Sequence, residues 1–531
     1  MASAASSPSG SPSKVVASAA TPAPFRDVPA LPVDNRWLLT IGVMAAVLMQ
    51  ILDATIANVA LPHMQTSLGA TSETVTWVLT SYIVAAAIAT PVTGWLAERL
   101  GSRNLFLIAT GGFVIASMLC GMSFGLTEMV LFRVAQGIFG AFLGPLSQTV
   151  MMDINKPSQQ GKAMSIWGMG IMIGPVAGPL LGGWLTENYN WRWVFYVNVP
   201  VGVITFAILW ALLPSRPKTE RSFDGVGFSM LALGLAAFQL MLDRGQSEDW
   251  WQSAEILIEG AVAIAMLWMV TIHFATAKQP LFERTLFKDR NLVMAGILMA
   301  IIGMTVMTPM ALLPAMLQTL FNYPVIDTGL VLAPRGVGTF VTMALSGYLM
   351  GKVDTRWTIV SGILLSALSM YLMAHWNLEI SQEQIIMTGF LQGLGMGLVF
   401  MPVNALAFAT LPQKFRTDGA SLMNLLRSLG GAVGISIATT LLAQNAQTAH
   451  EKIGANVTQQ TISSLNVYDI TRFGAPGQSV IAMVNAEVTK QAYMIAYLND
   501  FYLMAGISLL AIPLVFLLKT PKGKMEVIHA E

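Results

Sequence analysis

Asp53 interrupts an apolar stretch. Sixteen uncharged residues, Trp37 to Leu52, precede it, and the run continues Ala54-Thr55-Ile56-Ala57-Asn58-Val59-Ala60-Leu61-Pro62. A carboxylate there is costly in lipid and persists where it faces a protein interior or a water-filled cavity, in which it can carry a proton. Three arginines stand in similar stretches, Arg133, Arg335 and Arg427. Each costs about 2.5–3.5 kcal/mol on insertion scales and needs a partner. Asp53 lies about six residues, and Arg133 about five, from the same end of their segments. At about 1.5 Å per residue both sit roughly 7–9 Å below one surface. Matched depth makes Arg133 the candidate partner of Asp53, expected to tune its proton binding as the two approach and separate. Arg335 and Arg427 have no acid at similar depth in their half of the chain. Arg427 shares a helix face with Asn424. The two cations are candidates for meeting anionic substrates or lipid phosphates, although intramembrane arginines more often bond interhelical carbonyls or cavity water. With Gln50, Asn58, Gln136, Asn404 and Asn424 they form the polar candidates for a substrate cavity, beside Met304, Met307 and Met310.

The elements that must position these groups follow from composition. The chain has 531 residues, 54% hydrophobic and 11% charged, against about 25% charged in a soluble domain. Net charge is +1, which points to no nucleic-acid partner. The single cysteine, Cys120, excludes a disulfide framework and a cysteine metal site, and the five histidines lack ligand spacing. A bilayer-crossing helix needs about 20 mostly apolar residues. Fourteen segments qualify: 37–59, 74–96, 105–123, 128–152, 162–186, 193–213, 225–242, 254–276, 291–313, 327–350, 357–375, 385–410, 418–443 and 496–518. With the N-terminus inside, 21 of the 29 basic residues fall on the cytoplasmic side and five on the other. That bias predicts both termini in the cytoplasm. Residues 1–35, rich in Ala, Ser and Pro, read as a disordered tail, 444–496 as a long polar external loop, and 521–531 as a cytoplasmic tail.

The chain also repeats itself at an offset of about 255. Gly94-Trp95-Leu96-Ala97-Glu98-Arg99 parallels Gly347-Tyr348-Leu349-Met350-Gly351-Lys352, and Gln136-Gly137 parallels Gln392-Gly393. Repeats in one orientation imply two six-helix bundles related by an axis along the membrane normal. The expected fold is an all-α polytopic membrane protein. One bundle occupies 36–214 and the other 291–520, and two extra helices within the 215–290 linker lie between them.

Four stretches then carry a resemblance. The first is the run around Asp53. The second is Gly94-Trp95-Leu96-Ala97-Glu98-Arg99-Leu100-Gly101-Ser102-Arg103, a helix end and tight turn with a charge cluster. The third is Leu131-Phe132-Arg133-Val134-Ala135-Gln136-Gly137. The fourth is Gly170-Ile171-Met172-Ile173-Gly174-Pro175-Val176-Ala177-Gly178-Pro179-Leu180-Leu181-Gly182-Gly183, where glycines at four-residue spacing permit close helix packing and prolines remove backbone hydrogen bonds. The run Trp191-Arg192-Trp193-Val194-Phe195-Tyr196-Val197-Asn198-Val199-Pro200 extends it. Together they resemble the fourteen-helix drug:proton antiporter branch of the major facilitator superfamily, close to the EmrB-type multidrug exporters. The family usually has Asp where Glu98 stands and a basic residue where Ser102 stands.

The resemblance implies a major facilitator fold and a gating role for Gly94, Glu98, Arg99, Gly101 and Arg103. It makes the Gly170–Gly183 run the signature of exporters. It implies lipophilic toxic compounds as substrates, a periplasmic adaptor and an outer-membrane channel as partners, and the bacterial inner membrane as location. No nucleotide-binding loop is present, so no cofactor is expected and the drive should be the proton gradient. The rival expectations are a narrow-specificity exporter of a siderophore, lipid or amphipathic metabolite, a proton-coupled importer, and a non-transporting receptor or scaffold. An intramembrane enzyme is disfavoured, since no nucleophile–base pair is apparent.

Overall fold

A computed structural model describes residues 27–520 except 72–73, 216–220, 351 and 458–475; the side chains of Val176 and of residues 476–481 are also not described. The expected tail 521–531 and most of 1–35 lie outside the described residues. Among those described, fourteen helices are long and apolar enough to cross a membrane. They are α1 Arg36–Ser67, α2 Thr74–Leu100, α3 Ser102–Met122, α4 Leu126–Asp153, α5 Pro157–Asn188, α6 Trp193–Leu212, α7 Gly225–Arg244, α8 Ala254–Thr276, α9 Arg290–Thr319, α10 Val325–Leu349, α11 Thr355–Met373, α12 Gln382–Ala409, α13 Gln413–Gly454 and α14 Ala482–Phe516. Each overlaps one expected segment.

Helix starts are marked by side chains that satisfy free backbone donors. Asn35 accepts from Leu38 N at the head of α1, and Asp224 from Gly227 N at the head of α7. Asp289, Asp354 and Ser381 do the same for α9, α11 and α12. Between α2 and α3 the chain turns through Gly101 at φ +88°, a conformation in which a side chain would be strained.

The internal repeat is visible in packing. In the first bundle α1 packs on α5 and α6, α2 on α4, and α3 on α4 and α6. The second bundle repeats this with α9 on α13 and α14, α10 on α12, and α11 on α12 and α14. Two seams join the bundles. Along one, α5 meets α10 directly. Along the other, α7 lies against both α2 and α13, with α8 packed behind it. The extra pair therefore clasps one seam from outside.

The expected loop 444–496 is largely helix where described. α13 continues to Gly454 and α14 is already helical from Ala482. The two extensions pack antiparallel, with Ala446, Ala449, Val488 and Ala492 buried and His450 bonded to Asn485 at 3.0 Å. Polar composition hid this, because each extension buries only a narrow stripe against its partner.

Candidate functional site: a sealed charge pair and an inter-bundle gate

Close approach of α5 fixes where α1 lies. A Cβ on Gly174 would stand 2.5 Å from Ile51 Cγ2, one on Gly178 would collide with Thr55 Oγ1, and one on Gly182 would press on Ile56 at 3.2 Å. The Thr55 hydroxyl donates to the Gly174 carbonyl at 3.4 Å. Three of the glycines of the fourth motif thus grip the turns of α1 on either side of Asp53. Gly170 meets Met44 further along α1, and Gly183 faces Val325 of α10. Pro175 and Pro179 sit inside a continuous helix.

So held, Asp53 meets three donors. Arg133 Nη1 donates to its Oδ2 at 2.6 Å, and Gln136 Nε2 and Asn198 Nδ2 each donate to Oδ1 at 2.8 Å. Contact between the two charges, which matched depth left open, is present. Arg133 is satisfied in turn: Nε donates to the Val78 carbonyl at 2.9 Å and Nη1 to Gln136 Oε1 at 2.9 Å. The Tyr82 and Phe195 rings lie 4.3 and 5.7 Å from the guanidinium carbon, a cation–π arrangement. Asn198 also donates to Ser117 Oγ at 3.0 Å, and Ser117 donates to the Phe195 carbonyl at 2.9 Å. Cys120 Sγ reaches Gln136 Oε1 at 3.5 Å.

The site is closed to water. Asp53, Arg133 and Gln136 are 0%, 1% and 0% exposed. An apolar cluster including Ile56, Val78, Cys120, Met129 and Phe195 covers the end of the site away from the chain termini. Gln136, expected to line a substrate cavity, instead belongs to this buried network, because Asp53 and Arg133 draw both ends of its amide. Asn198, Tyr82 and Ser117 were not singled out from sequence. Asn198 stands in a quoted run, and a polar residue there was the available signal.

At the end that carries both termini the bundles close on each other. A Cβ on Gly94 of α2 would fall on the Asp418 carboxylate at the start of α13. At the other seam, one on Gly347 of α10 would meet Ser165 Oγ of α5 at 2.5 Å. Gly94 and Gly347 are equivalent under the internal repeat, and so are the helix pairs they join, α2 with α13 and α10 with α5. The charge cluster differs from expectation. Glu98 pairs with Arg221 of the linker at 3.5 Å, and Arg221 also pairs with Asp418 at 3.1 Å. Arg99 lies 5.5 Å from the Trp95 ring centroid, and Arg103 donates to the Trp210 carbonyl at 2.6 Å. The linker arginine takes the bridging place because Arg99 and Arg103 turn to aromatic neighbours.

Further polar contacts cross between the bundles. Gln148 Nε2 donates to Asn404 Oδ1 at 2.8 Å, Asn424 Nδ2 to Gln148 Oε1 at 3.3 Å, and Arg416 to Asp153 at 3.4 Å. Asn404 and Asn424 therefore tie α4 to α12 and α13 in this conformation. Gln50 and Asn424 both approach Gly144, at 3.8 and 3.7 Å from where its Cβ would lie. Asn58 is exposed in the opposite half of α1. Between α5 and α10 a cavity of about 350 Å³ is lined by apolar side chains, among them Met169, Met172, Leu180, Val337 and Phe340.

Arg335 donates to the Val306 carbonyl at 3.2 Å and Arg427 to Asn424 Oδ1 at 3.3 Å. Neither forms an ion pair among the described residues. The second bundle does hold one deeply buried acid that sequence reading passed over. Asp500 of α14 is 1% exposed, and its carboxylate has no hydrogen-bond partner among the described residues. It lies beside Phe501 and Tyr497 in the cluster that packs α14, and it pairs with neither arginine.

A sequence profile described as Major Facilitator Superfamily matches residues 43–444. The chain belongs to that superfamily. Among its relatives are the fatty acid resistance protein FarB of Neisseria gonorrhoeae, 34% identical over 91% of this chain and 96% of that one, and the multidrug export protein EmrB of Escherichia coli K12, 33% identical over 92% and 96%. The probable multidrug resistance protein EmrY of Escherichia coli K12 is 32% identical over 94% and 98%. In fold the chain is similar to the human organic anion transporter MFSD10, at TM-score 0.59 and 13% identity over 90% of this chain and 98% of that one. The proton:xylose symporter XylE matches at TM-score 0.59 and 13% identity over 90% and 95%. This member of the Major Facilitator Superfamily is thus a multi-pass membrane protein whose relatives are transporters.

Proposed function

We propose that this protein is a proton-coupled antiporter that exports lipophilic toxic compounds across the bacterial inner membrane. Its termini lie in the cytoplasm, and it works as the pump of a tripartite system with a periplasmic adaptor and an outer-membrane channel. Relatives named for multidrug export and fatty acid resistance support the export reading. The observation that carries proton coupling is the ion pair of Asp53 and Arg133, sealed from water inside the first bundle.

The proposed cycle follows from what the pair touches. Protonation of Asp53 neutralises the charge that holds Arg133, so the attraction between α1 and α4 falls. α1 is gripped by the α5 glycines, and α5 forms a seam with α10. A shift of α1 therefore reaches the inter-bundle seam. With both termini cytoplasmic, the face closed by Gly94, Asp418 and Arg221 is the inner one. Proton uptake from outside and substrate binding would favour opposite states, which is antiport. The proton gradient is the sole drive and no cofactor takes part.

Dye efflux from proteoliposomes under an imposed pH gradient tests this. Wild type is expected to move dye uphill and Asp53→Asn to lose uphill transport; the isosteric amide leaves Arg133 without its anion, so a melting curve of the purified variant accompanies the assay to show that it is folded. Uphill transport by the variant would remove Asp53 from the coupling. A narrower reading, export of fatty acids or similar amphiphiles, is favoured by the likeness to FarB; a substrate screen on the same liposomes separates the two.

A further inference from the structure

The internal repeat places a relative of the Asp53 site in the other bundle, with its guanidinium on α10 rather than on α12. At the offset of about 255, Gln392 of α12 corresponds to Gln136 of α4, and Arg335 of α10 to Tyr82 of α2. Packing agrees with this register. A Cβ on Gly137 would meet the Tyr82 carbonyl oxygen at 2.5 Å, and one on Gly393 would collide with the Arg335 carbonyl. In the first bundle the Gln136 amide donates to a carboxylate and accepts from a guanidinium. In the second, Gln392 is 2% exposed and neither of its amide atoms has a partner among the described residues. Gly389 and Gly393 both face Arg335, and Gln392 lies one turn from Gly389 on the flank of that contact. Arg335 and an orphaned amide thus share the α10–α12 contact, with the guanidinium reaching on to α9, and the segment of α9 that matches Asp53 carries no acid.

A second cation completes the arrangement. The backbone of Arg427 on α13 packs on Gly303 of α9, one turn from the Val306 carbonyl that accepts from Arg335. On the same stretch of α9, Met304 and Met307 are half-buried and pack against α13. Guanidinium forks match the geometry of a carboxylate, and methionines adapt to apolar bodies of varied shape.

We propose that Arg335, Arg427 and Gln392 form the head-group site for an anionic amphiphile, with the substrate supplying the carboxylate that Asp53 supplies in the first bundle. The proposal rests on the export reading and narrows its substrate class.

The test uses the full-length protein in nanodiscs and three probes of matched chain: laurate, its methyl ester and dodecyltrimethylammonium. Wild type is expected to bind laurate more tightly than either analogue. Arg335→Gln, Arg427→Gln and Gln392→Leu are each expected to weaken laurate binding by about tenfold or more, the scale of one lost charge-assisted hydrogen bond. The same substitutions should leave the cation's affinity within a few-fold, and Arg335→Lys should recover part of the laurate affinity. Equal binding of the three probes by wild type, or equal loss of all three in the variants, would overturn the site. Nanodiscs with and without phosphatidylglycerol distinguish a transported amphiphile from a resident lipid. Unchanged laurate affinity supports the substrate assignment, and displacement of laurate by the anionic lipid overturns it. Wild-type liposomes that pump a neutral dye while failing to discriminate laurate would sink this inference alone; liposomes that pump nothing would sink the export reading itself.

Discussion

The Asp53–Arg133 pair survives in an apolar interior because its hydrogen-bonding capacity is filled. Two charges removed from water are stabilised only when geometry is good and the remaining donors and lone pairs are satisfied. Here Asp53 accepts three bonds, and Arg133 adds a backbone carbonyl, a side-chain oxygen and an aromatic face. Removing one charge should therefore cost more than removing one dipole. Arg133→Ala is expected to destabilise the folded protein by about 3–5 kcal/mol, by leaving a buried carboxylate without its cation. Asn198→Leu should cost about 1–3 kcal/mol for one lost neutral donor. Thermal unfolding of the purified variants in detergent checks the order; equal losses would show that the charge pair is not the dominant contact. The pair itself was legible in the sequence, as two charges at one depth in apolar segments. Asn198 and Tyr82 were not, since a single polar or aromatic residue in a membrane helix has many common uses and only packing shows which face it presents.

At the scale of elements, α5 is the part that joins the charge site to the α5–α10 seam between the bundles. Its glycines let α1 approach on one side while Met169, Met172 and Leu180 face α10 on the other. Gly174→Leu should drive α5 away from Ile51 and Leu52, an overpacking cost of about 1–3 kcal/mol. The expected result is a folded protein of lower melting temperature that binds dye but no longer couples efflux to the pH gradient. Normal coupled efflux by this variant would disprove the role of the α1–α5 contact. The spacing of this motif was readable because small residues at four-residue intervals have a direct geometric meaning. The helical extensions of α13 and α14 were not, because their polar sequence looks the same whether helix or loop.

For the whole molecule, the face that carries the termini is held shut by contacts from three regions. Asp418 of the second bundle and Glu98 of the first share Arg221 from the linker. The linker therefore does more than connect the bundles, since it supplies the cation that spans them. Arg221→Ala leaves two carboxylates facing each other across the seam, and like charges at that range repel. The variant is expected to shift the population toward opening of that face by about tenfold, the effect of 1.4 kcal/mol. Spin labels at Lys162 and Lys352, both exposed at the ends of α5 and α10, would report it as a longer distance in double electron–electron resonance. An unchanged distance distribution would show that glycine packing alone holds the gate.

Sequence by itself determined the number of spanning helices, the repeat that makes two bundles, and the matched depth of Asp53 and Arg133, while their contact came from the fold. Each follows from periodicity, length and the cost of charge in lipid, which act along a single chain. Tertiary structure alone decided which face is closed, that Gln136 serves the charge pair, and that Arg221 bridges the bundles. Among the described residues it also leaves Gln392 and two arginines without an anion. These depend on how helices far apart in sequence turn toward one another, and rotation about a helix axis is set by the partners that a side chain finds.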